Sequence, residues 1–350
     1  MYRKIPFVEA ERQVIGTRIG MFGREYPVYN TPVTLRENFH ALFEEKHPYW
    51  MPSIREINDH TPSLYNNNLG RGRRKDITDT FGVKWHYEPV AGGSISVAGN
   101  PLIEDISEWA EKVKIPDIDA WDWEGCTKEF TIDPSVSCQF SFVNGFWFER
   151  LISFMEFMPA AMVLIDEDYT EDIKGLFGAM TDLGCRIVDK YCQYWPQMDF
   201  IEIHDDWGSQ QAPFFSMDVA NELFVPYMKQ ITDHIHKWGR HVLLHSCGHN
   251  ATRIQCYIDG GFDYWAPQDM NDIEMLYDQY GDKILLGVFP PEKDLAERSE
   301  KEQRAAARRM VDRFMKPGKP AMLSSSAARR ATPAFDDEVY RYSRQVLLDW

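Results

Sequence analysis

The 350-residue chain has little of several things that would mark other classes of protein. Six cysteines are too few for a disulfide framework at this length, so we expect a reduced protein. The 38 basic residues are outnumbered by 54 acidic ones, and the net charge of −16 argues against binding nucleic acid or an anionic membrane. The longest apolar stretch, 151–165, is interrupted by Ser153, Glu156 and Pro159, which excludes a membrane span. The first residues lack the apolar segment of a secretory signal, so we expect a cytoplasmic location.

Glycine-rich phosphate loops are also missing, which weighs against a dinucleotide-binding fold. From about residue 135 the chain instead alternates short apolar runs with longer amphipathic segments. The predicted strands are 136–143, 200–204, 241–245, 262–266, 284–288 and 321–324. Strands that alternate with helices at this spacing indicate a parallel sheet.

We therefore predict an α/β fold, a (β/α)8 TIM barrel that forms one structural domain. Residues 131–350 supply the main part of the barrel. Residues 1–130 are predicted to be an N-terminal elaboration that packs on the barrel and includes its first elements. A doubly wound open sheet is the alternative.

The strand predicted at 241–245 ends in the sequence His-Ser-Cys-Gly. Residues two apart on a strand share a face, so His245 and Cys247 point the same way if the strand continues that far. A neutral imidazole and a thiolate are two of the ligands that zinc prefers. The alternative is a core histidine followed by a buried structural cysteine.

The strand predicted at 200–204 also ends in polar residues. Glu202 is costly to bury against outer helices, so we expect Glu202 and His204 to point into the barrel near its mouth. Asp205 and Asp206 follow in the loop, where a carboxylate can act as a base, bind substrate or ligate metal. Capping of a turn or helix is the alternative for both. In a barrel, chemistry is found at these strand ends.

Several motifs resemble those of the uroporphyrinogen decarboxylase-like superfamily. They are Thr-Phe-Gly-Val-Lys-Trp at 80–85, Ala-Gly-Gly-Ser at 91–94, Gly-Phe-Trp-Phe-Glu-Arg at 145–150, Asp-Asp-Trp-Gly-Ser-Gln at 205–210 and His-Ser-Cys-Gly at 245–248. The resemblance implies a (β/α)8 barrel with its cleft at the carboxyl ends of the strands. It also implies one of two chemistries: decarboxylation of uroporphyrinogen without a cofactor, or methyl transfer that involves a corrinoid protein and zinc.

In the zinc-dependent methyltransferases of this superfamily, a His-x-Cys pair and a later cysteine hold the metal. By resemblance, His245 and Cys247 are the first two ligands. The region expected to hold the third, 321–326, contains serines and no cysteine. Glu202 is our candidate to replace it; the alternatives are His204, Asp205, His249, Cys256 or a water molecule.

The decarboxylases of the superfamily resemble one another in an Arg-Gln-Ala-Gly-Arg segment that this chain lacks. Arg71, Arg73 and Arg74 are the candidates to replace it, because guanidinium groups match carboxylates in fork geometry. Asp79 would then be the acidic residue that binds the pyrrole nitrogens.

We predict a corrinoid-dependent methyltransferase that demethylates a small methyl donor or methylates a thiol. Zinc, held by His245, Cys247 and Glu202, would act as a Lewis acid. The predicted catalytic residues are His204, Asp205, Asp206 and Gln210, and the predicted substrate-binding residues are Trp207, Trp265, Gln268 and Phe289. The expected partners are a corrinoid protein and, by resemblance only, a second copy of the chain. The alternatives are a metal-free decarboxylase and a non-catalytic barrel that binds a ligand or a corrinoid protein.

Overall fold

A computed structural model describes residues 2–20, 23–72, 74–90 and 93–350. The chain divides into two compact units, each built from separate segments. The first unit comprises Met1–Asp59, Ile132–Cys138 and Asp263–Trp350, and the second comprises His60–Thr131 and Gln139–Phe262. The predicted division at residue 130 and the single domain stay predictions.

Strands occur in both units. Those of the described residues are β1 (Val14–Ile19), β2 (Glu25–Tyr29), β3 (Asn58–Asp59), β4 (Ile77–Thr78), β5 (Lys84–Glu88), β6 (Gly93–Ser96), β7 (Cys138–Phe142), β8 (Phe200–His204), β9 (His241–His245), β10 (Tyr264–Trp265), β11 (Leu285–Val288) and β12 (Met322–Leu323). The predicted strands at 200–204 and 241–245 coincide with β8 and β9, whereas the other four are shorter than predicted.

Helices follow most of these strands. They are α1 (Leu35–Glu45), α2 (Ser63–Asn68), α3 (Trp109–Lys112), α4 (Trp123–Cys126), α5 (Phe148–Met155), α6 (Phe157–Val163), α7 (Thr170–Tyr194), α8 (Met217–Leu223), α9 (Val225–Lys237), α10 (Ile254–Asp259), α11 (Ile273–Tyr280), α12 (Glu300–Phe314), α13 (Ser325–Arg330) and α14 (Pro333–Leu348). Of the helices in the described residues, none has the length and apolar character needed to cross a lipid bilayer.

The second unit contains parallel pairing of β7 with β8 and of β8 with β9. In this register Phe142 lies beside Ile203, and His204 lies beside His245. A separate antiparallel sheet, β4–β5–β6, comes from the N-terminal part of the chain. The two parallel pairings bring the carboxyl ends of three strands to one edge of the unit.

The first unit contains β10, β11 and β12 in parallel pairing and the antiparallel hairpin β1–β2. The prediction of an α/β fold with parallel strands is confirmed. The closed eight-stranded barrel is wrong, because the strands of parallel type among the described residues number seven: β3 and β7 to β12.

The segment before β3 shows why the eighth strand is missing. Ser53 forms only an isolated parallel bridge with Leu323, whose N–H donates to the carbonyl of Pro52 at 2.8 Å. Pro52 has no N–H to extend the ladder, and residues 54–56 turn at once into a 3₁₀-helix.

Candidate metal and active site

His204 and His245 stand side by side where β8 and β9 end. Along β8, Ile201 and Ile203 are buried while Glu202 and His204 are partly exposed, as alternation along a strand requires. The imidazoles of His204 and His245 stack with their centroids 4.4 Å apart and their planes inclined by 23°. The two strand ends therefore place both rings at one point of the second unit.

Glu202 and His204 form an ion pair within this cluster. The Oε2 atom of Glu202 lies 2.9 Å from Nε2 of His204 and accepts hydrogen bonds from Gln139 Nε2 at 3.0 Å and Ser141 Oγ at 3.1 Å. Burial alone would raise the pKa of Glu202, but His204, His245 and Ser141 together lower it. Burial alone would lower the pKa of His204, yet the Glu202 carboxylate raises it above its ordinary value. The pair therefore favours the protonated form of His204.

Cys247, His245 and Asp206 meet next to this pair. Nε2 of His245 lies 3.2 Å from Sγ of Cys247 and 3.8 Å from Oδ1 of Asp206. The same oxygen of Asp206 accepts the backbone N–H of Cys247 at 2.7 Å. Burial and the charge of His204 lower the pKa of His245, and Asp206 and Glu202 offset this only in part. His245 is thus kept neutral, the form in which imidazole ligates a metal.

Two overlapping groups of donor atoms result, and His245 belongs to both. One consists of Glu202, His204 and His245; the other consists of Asp206, His245 and Cys247. Within each group the donor atoms lie within 4.8 Å of one another, and every residue is partly exposed. Tetrahedral zinc with bonds of about 2.0–2.3 Å separates its ligand atoms by roughly 3.3–3.8 Å. The group of imidazole, thiol and carboxylate therefore fits zinc in both chemistry and spacing.

Two glycines hold the Cys247 loop in place. Gly248 has a φ of +105°, and a Cβ on it would lie 2.3 Å from the backbone of Gly208. The N–H of His249 donates to the carbonyl of Ser209 at 2.8 Å, so the loops after β8 and β9 are bonded to each other. Only glycine at 248 permits this approach, which fixes the position of Cys247.

Asp205 has an environment unlike that of Asp206. It is fully buried, and its carboxylate accepts the N–H groups of Phe148 and Glu149 at 3.2 and 2.9 Å and Nε1 of Trp207 at 2.7 Å. Burial, reinforced by the charge of Glu149, raises its pKa to about 7. Both oxygens are thus engaged in holding the start of α5 and the indole of Trp207.

The other predicted substrate residues lie in varied surroundings. Trp207 is fully buried against Phe215 and Phe224, whereas Gln210 is exposed in the loop after β8. Three further predicted residues belong to the first unit: Trp265 and Phe289 are buried, and Gln268 is partly buried. Their role in substrate binding stays a prediction.

The remaining substitutes for a third ligand are engaged elsewhere. Sγ of Cys256, on α10, lies 3.1 Å from Sδ of Met217. Nδ1 of His249 lies 2.9 Å from the carbonyl of Gln211. Neither residue belongs to the donor groups found within the described part of the chain.

Sequence reasoning missed two contributions to this site. Gln139 and Ser141 project from β7 onto Glu202; the signal was a pair of polar residues two apart on a buried strand. Arg71 pairs with Glu149 and acts electrostatically on both histidines of the cluster. Burial raises the pKa of Glu149 despite that arginine.

Asp79, the residue considered for binding pyrrole nitrogens, is buried and bonded within the protein. Its carboxylate accepts Nε1 of Trp85 and the N–H groups of Phe81 and Val83, each at 3.0 Å. Nη1 of Arg150 lies 3.6 Å away. Arg71 is partly buried and Arg74 is exposed, while Arg73, like Ala91 and Gly92 of the motif at 91–94, lies outside the described residues.

Comparisons with known proteins concern the fold. No protein-family model matches the chain, and no curated protein does. Among solved structures, a methyltransferase from Methanosarcina mazei is similar, with a TM-score of 0.60 and 12% sequence identity. The match covers 90% of this chain and 99% of that chain. At this identity the likeness shows a shared fold alone, and membership of the uroporphyrinogen decarboxylase-like superfamily stays a prediction.

Proposed function

We propose that this protein is a zinc-dependent methyltransferase that exchanges a methyl group with a corrinoid carried by a partner protein. The observation that carries the proposal is the convergence of His245 Nε2, Cys247 Sγ and the Asp206 carboxylate at separations of 3.2 and 3.8 Å from the imidazole nitrogen. The similar fold of a known methyltransferase supports the class of reaction. The methyl donor would be a small molecule such as a methyl ether, or the acceptor a thiol.

We propose Asp206 as the third ligand, in the role that a later cysteine has in the enzymes this chain resembles. Glu202 was the candidate from sequence, but its Oε2 atom already has three polar partners. Asp206 shares its donor group with both His245 and Cys247. Its bond to the N–H of Cys247 also fixes the carboxylate relative to the thiol.

Bound zinc would supply a Lewis acid for the oxygen of a donor or the sulfur of an acceptor. The chain itself supplies the proton chemistry. When the C–O bond of a methyl ether breaks, the oxygen keeps the electron pair and needs a proton. His204, held protonated by Glu202 at 2.9 Å, can deliver that proton and become neutral.

The decarboxylase alternative receives less support. It requires Asp79 to bind the pyrrole nitrogens of a substrate, but that carboxylate is buried and accepts three hydrogen bonds from the protein. The proposed zinc site also has no part in that reaction. We therefore propose methyl transfer.

The experiment combines metal analysis with a methyl-transfer assay on the full chain. After purification with zinc we expect stoichiometric zinc, and we expect the protein to interconvert methylcobalamin and cob(I)alamin in the presence of thiols or methoxybenzoates, followed by visible absorbance. Cys247→Ser should lose both properties. Cys185→Ser is the matched control, because Cys185 is a partly exposed cysteine of α7 outside both donor groups.

Three outcomes would contradict the proposal. If the purified protein contains no zinc and its activity is unchanged in Cys247→Ser, the reaction does not depend on the proposed zinc site. Release of carbon dioxide from a porphyrinogen without added metal identifies a decarboxylase. Binding of cobalamin without turnover under all these conditions identifies a non-catalytic protein.

A further inference from the structure

A cavity separate from the candidate metal site lies entirely within the first unit. It encloses about 400 Å³ and is lined by the hairpin β1–β2, the segment 50–56 and helix α14. This volume lies in the range of roughly 300–1,000 Å³ that is usual for small-molecule sites. Aromatic side chains, among them Tyr26, Trp50 and Tyr340, form much of its wall. The cavity can therefore accommodate a molecule with an apolar or aromatic body.

Most charged groups at this cavity neutralise one another. Nη2 of Arg55 lies 2.6 Å from Asp336, and Nε of Arg12 lies 2.8 Å from Asp337. Asp133 is an exposed acid whose carboxylate accepts the N–H and hydroxyl of Ser135. Arg12 and Arg55 therefore need no ligand to balance their charges.

Arg18 is different, because it forms no close ion pair with a carboxylate among the described residues. Its guanidinium donates only to neutral oxygens, Asn58 Oδ1 at 3.0 Å and the carbonyl of Arg55 at 2.6 Å. The side chain is partly buried in the cavity wall, and burial lowers its pKa by more than the charges of Glu56 and Asp133 raise it. A desolvated guanidinium without a counter-ion is costly, so an anionic group in the cavity would be bound favourably.

Glu56 has the converse environment. Its Oε2 atom accepts Nε1 of Trp50 at 3.1 Å, and within the described residues it forms no ion pair. Burial raises its pKa to about 7; the Trp50 hydrogen bond and the charges of Arg18 and Arg55 oppose this only in part, and Asp336 adds to it. The carboxyl group thus lacks a cation close enough to hold it ionised.

Arg18 and Glu56 both line this cavity and influence each other electrostatically, although no ion pair joins them among the described residues. We propose that this cavity binds a small zwitterion with an apolar body, of the amino-acid type, whose carboxylate meets Arg18 and whose ammonium group meets Glu56. Such a ligand supplies each residue with the partner that it lacks, while its apolar part contacts the aromatic wall. The cavity and the proposed metal site belong to different units of the chain, so either proposal can fail alone.

The test compares three matched probes by calorimetry on the full wild-type chain. L-phenylalanine carries both charges, 3-phenylpropionate lacks the ammonium group, and phenethylamine lacks the carboxylate. We expect L-phenylalanine to bind about tenfold or more tightly than either single-charge probe, because each lost charged hydrogen bond costs at least that factor. Equal binding of the three probes, or no binding of any at millimolar concentration, would overturn the proposal.

Two variants check the roles of the ions. Arg18→Gln should lower the affinity for L-phenylalanine by a larger factor than the one that separates L-phenylalanine from 3-phenylpropionate on the wild-type protein. It should leave the affinity for phenethylamine nearly unchanged. Glu56→Gln should weaken L-phenylalanine but leave 3-phenylpropionate nearly unchanged. Arg24→Gln and Glu25→Gln are the controls, because both residues are exposed on the same hairpin and outside the cavity lining. The three probes are compared first on the wild-type protein, so a variant that misfolds does not decide the result. A folded variant that no longer binds either single-charge probe would contradict the assignment.

Discussion

His204 and His245 stack 4.4 Å apart, yet their pKa values move in opposite directions. Glu202 raises the pKa of His204, whereas burial and the positive charge of His204 lower the pKa of His245. One strand end thus favours a protonated imidazole, and the next favours the neutral imidazole that the proposed zinc site requires. Two residues of the same type acquire different chemistry because only one of them has a carboxylate at 2.9 Å.

The two carboxylates of the cluster should differ in their effect on zinc. Asp206→Asn removes a proposed ligand, so we expect zinc affinity to fall by more than about 100-fold, beyond the range for residues that only support ligands. Glu202→Gln alters a supporting contact and should cost about tenfold. Competition with a chromophoric chelator measures both values. Equal losses of zinc affinity, or a greater loss for Glu202→Gln, would indicate that Glu202 and not Asp206 is the third ligand.

Asp205 should matter for stability. In Asp205→Asn one oxygen becomes an NH₂ group that faces N–H donors, leaving buried donors unsatisfied. We expect the free energy of unfolding to fall by about 2–4 kcal/mol. Urea denaturation measures this, with the exposed Asp218→Asn as a control that should change little. An Asp205→Asn protein of normal stability but without activity would instead indicate a direct catalytic role.

The approach of Gly248 to Gly208 gives a test of loop geometry. Gly248→Ala combines a positive φ with a Cβ contact of 2.3 Å, so we expect a loss of about 3 kcal/mol or more in stability together with weaker zinc binding. Gly239→Ala isolates the backbone effect, because Gly239 has a φ of +66° and open space around its Cβ position. It should cost about 1 kcal/mol and leave zinc binding unchanged. Similar losses in the two variants would mean that the loops are not closely packed.

We expect Glu56 to make the free energy of unfolding of the ligand-free protein depend on pH. Its pKa rises from 4.5 to about 7 on folding, so between these values the folded state holds more protons than the unfolded state. Stability contributed by this group therefore falls as pH rises from about 4.5 to 7, by up to about 3 kcal/mol, and then levels off. Glu56→Gln should remove this part of the decline, measured by urea denaturation across the range. An unchanged pH profile in the variant would show that Glu56 ionises normally.

The parts of the candidate site that were predictable from sequence have a local origin. The two-residue period of a strand was enough to group Glu202 with His204, because both residues lie on β8 itself. The spacing of His245 and Cys247 likewise predicted that imidazole and thiol would lie close together. The same periodicity located β8 and β9 at their observed bounds.

Other features of the chain depended on contacts between distant segments. Adjacent aspartates show this most clearly: Asp205 and Asp206 are chemically identical in the sequence, but the N–H groups at the start of α5 engage the first, while the second reaches the Cys247 loop. The number of strands was beyond prediction for a similar reason, because the bridge between Ser53 and Leu323 joins segments far apart in the chain.

What the sequence by itself determined is the alternation of strands and helices, the net acidity, and the residue types at the ends of two strands, since all of these follow from order along the chain. What only the tertiary structure decided is which carboxylate faces which nitrogen, which acid is buried, and that Arg18 and Glu56 line one cavity. The physical reason is that hydrogen bonds and charges act over a few ångströms in space, and folding brings together atoms whose separation in sequence carries no record of that distance.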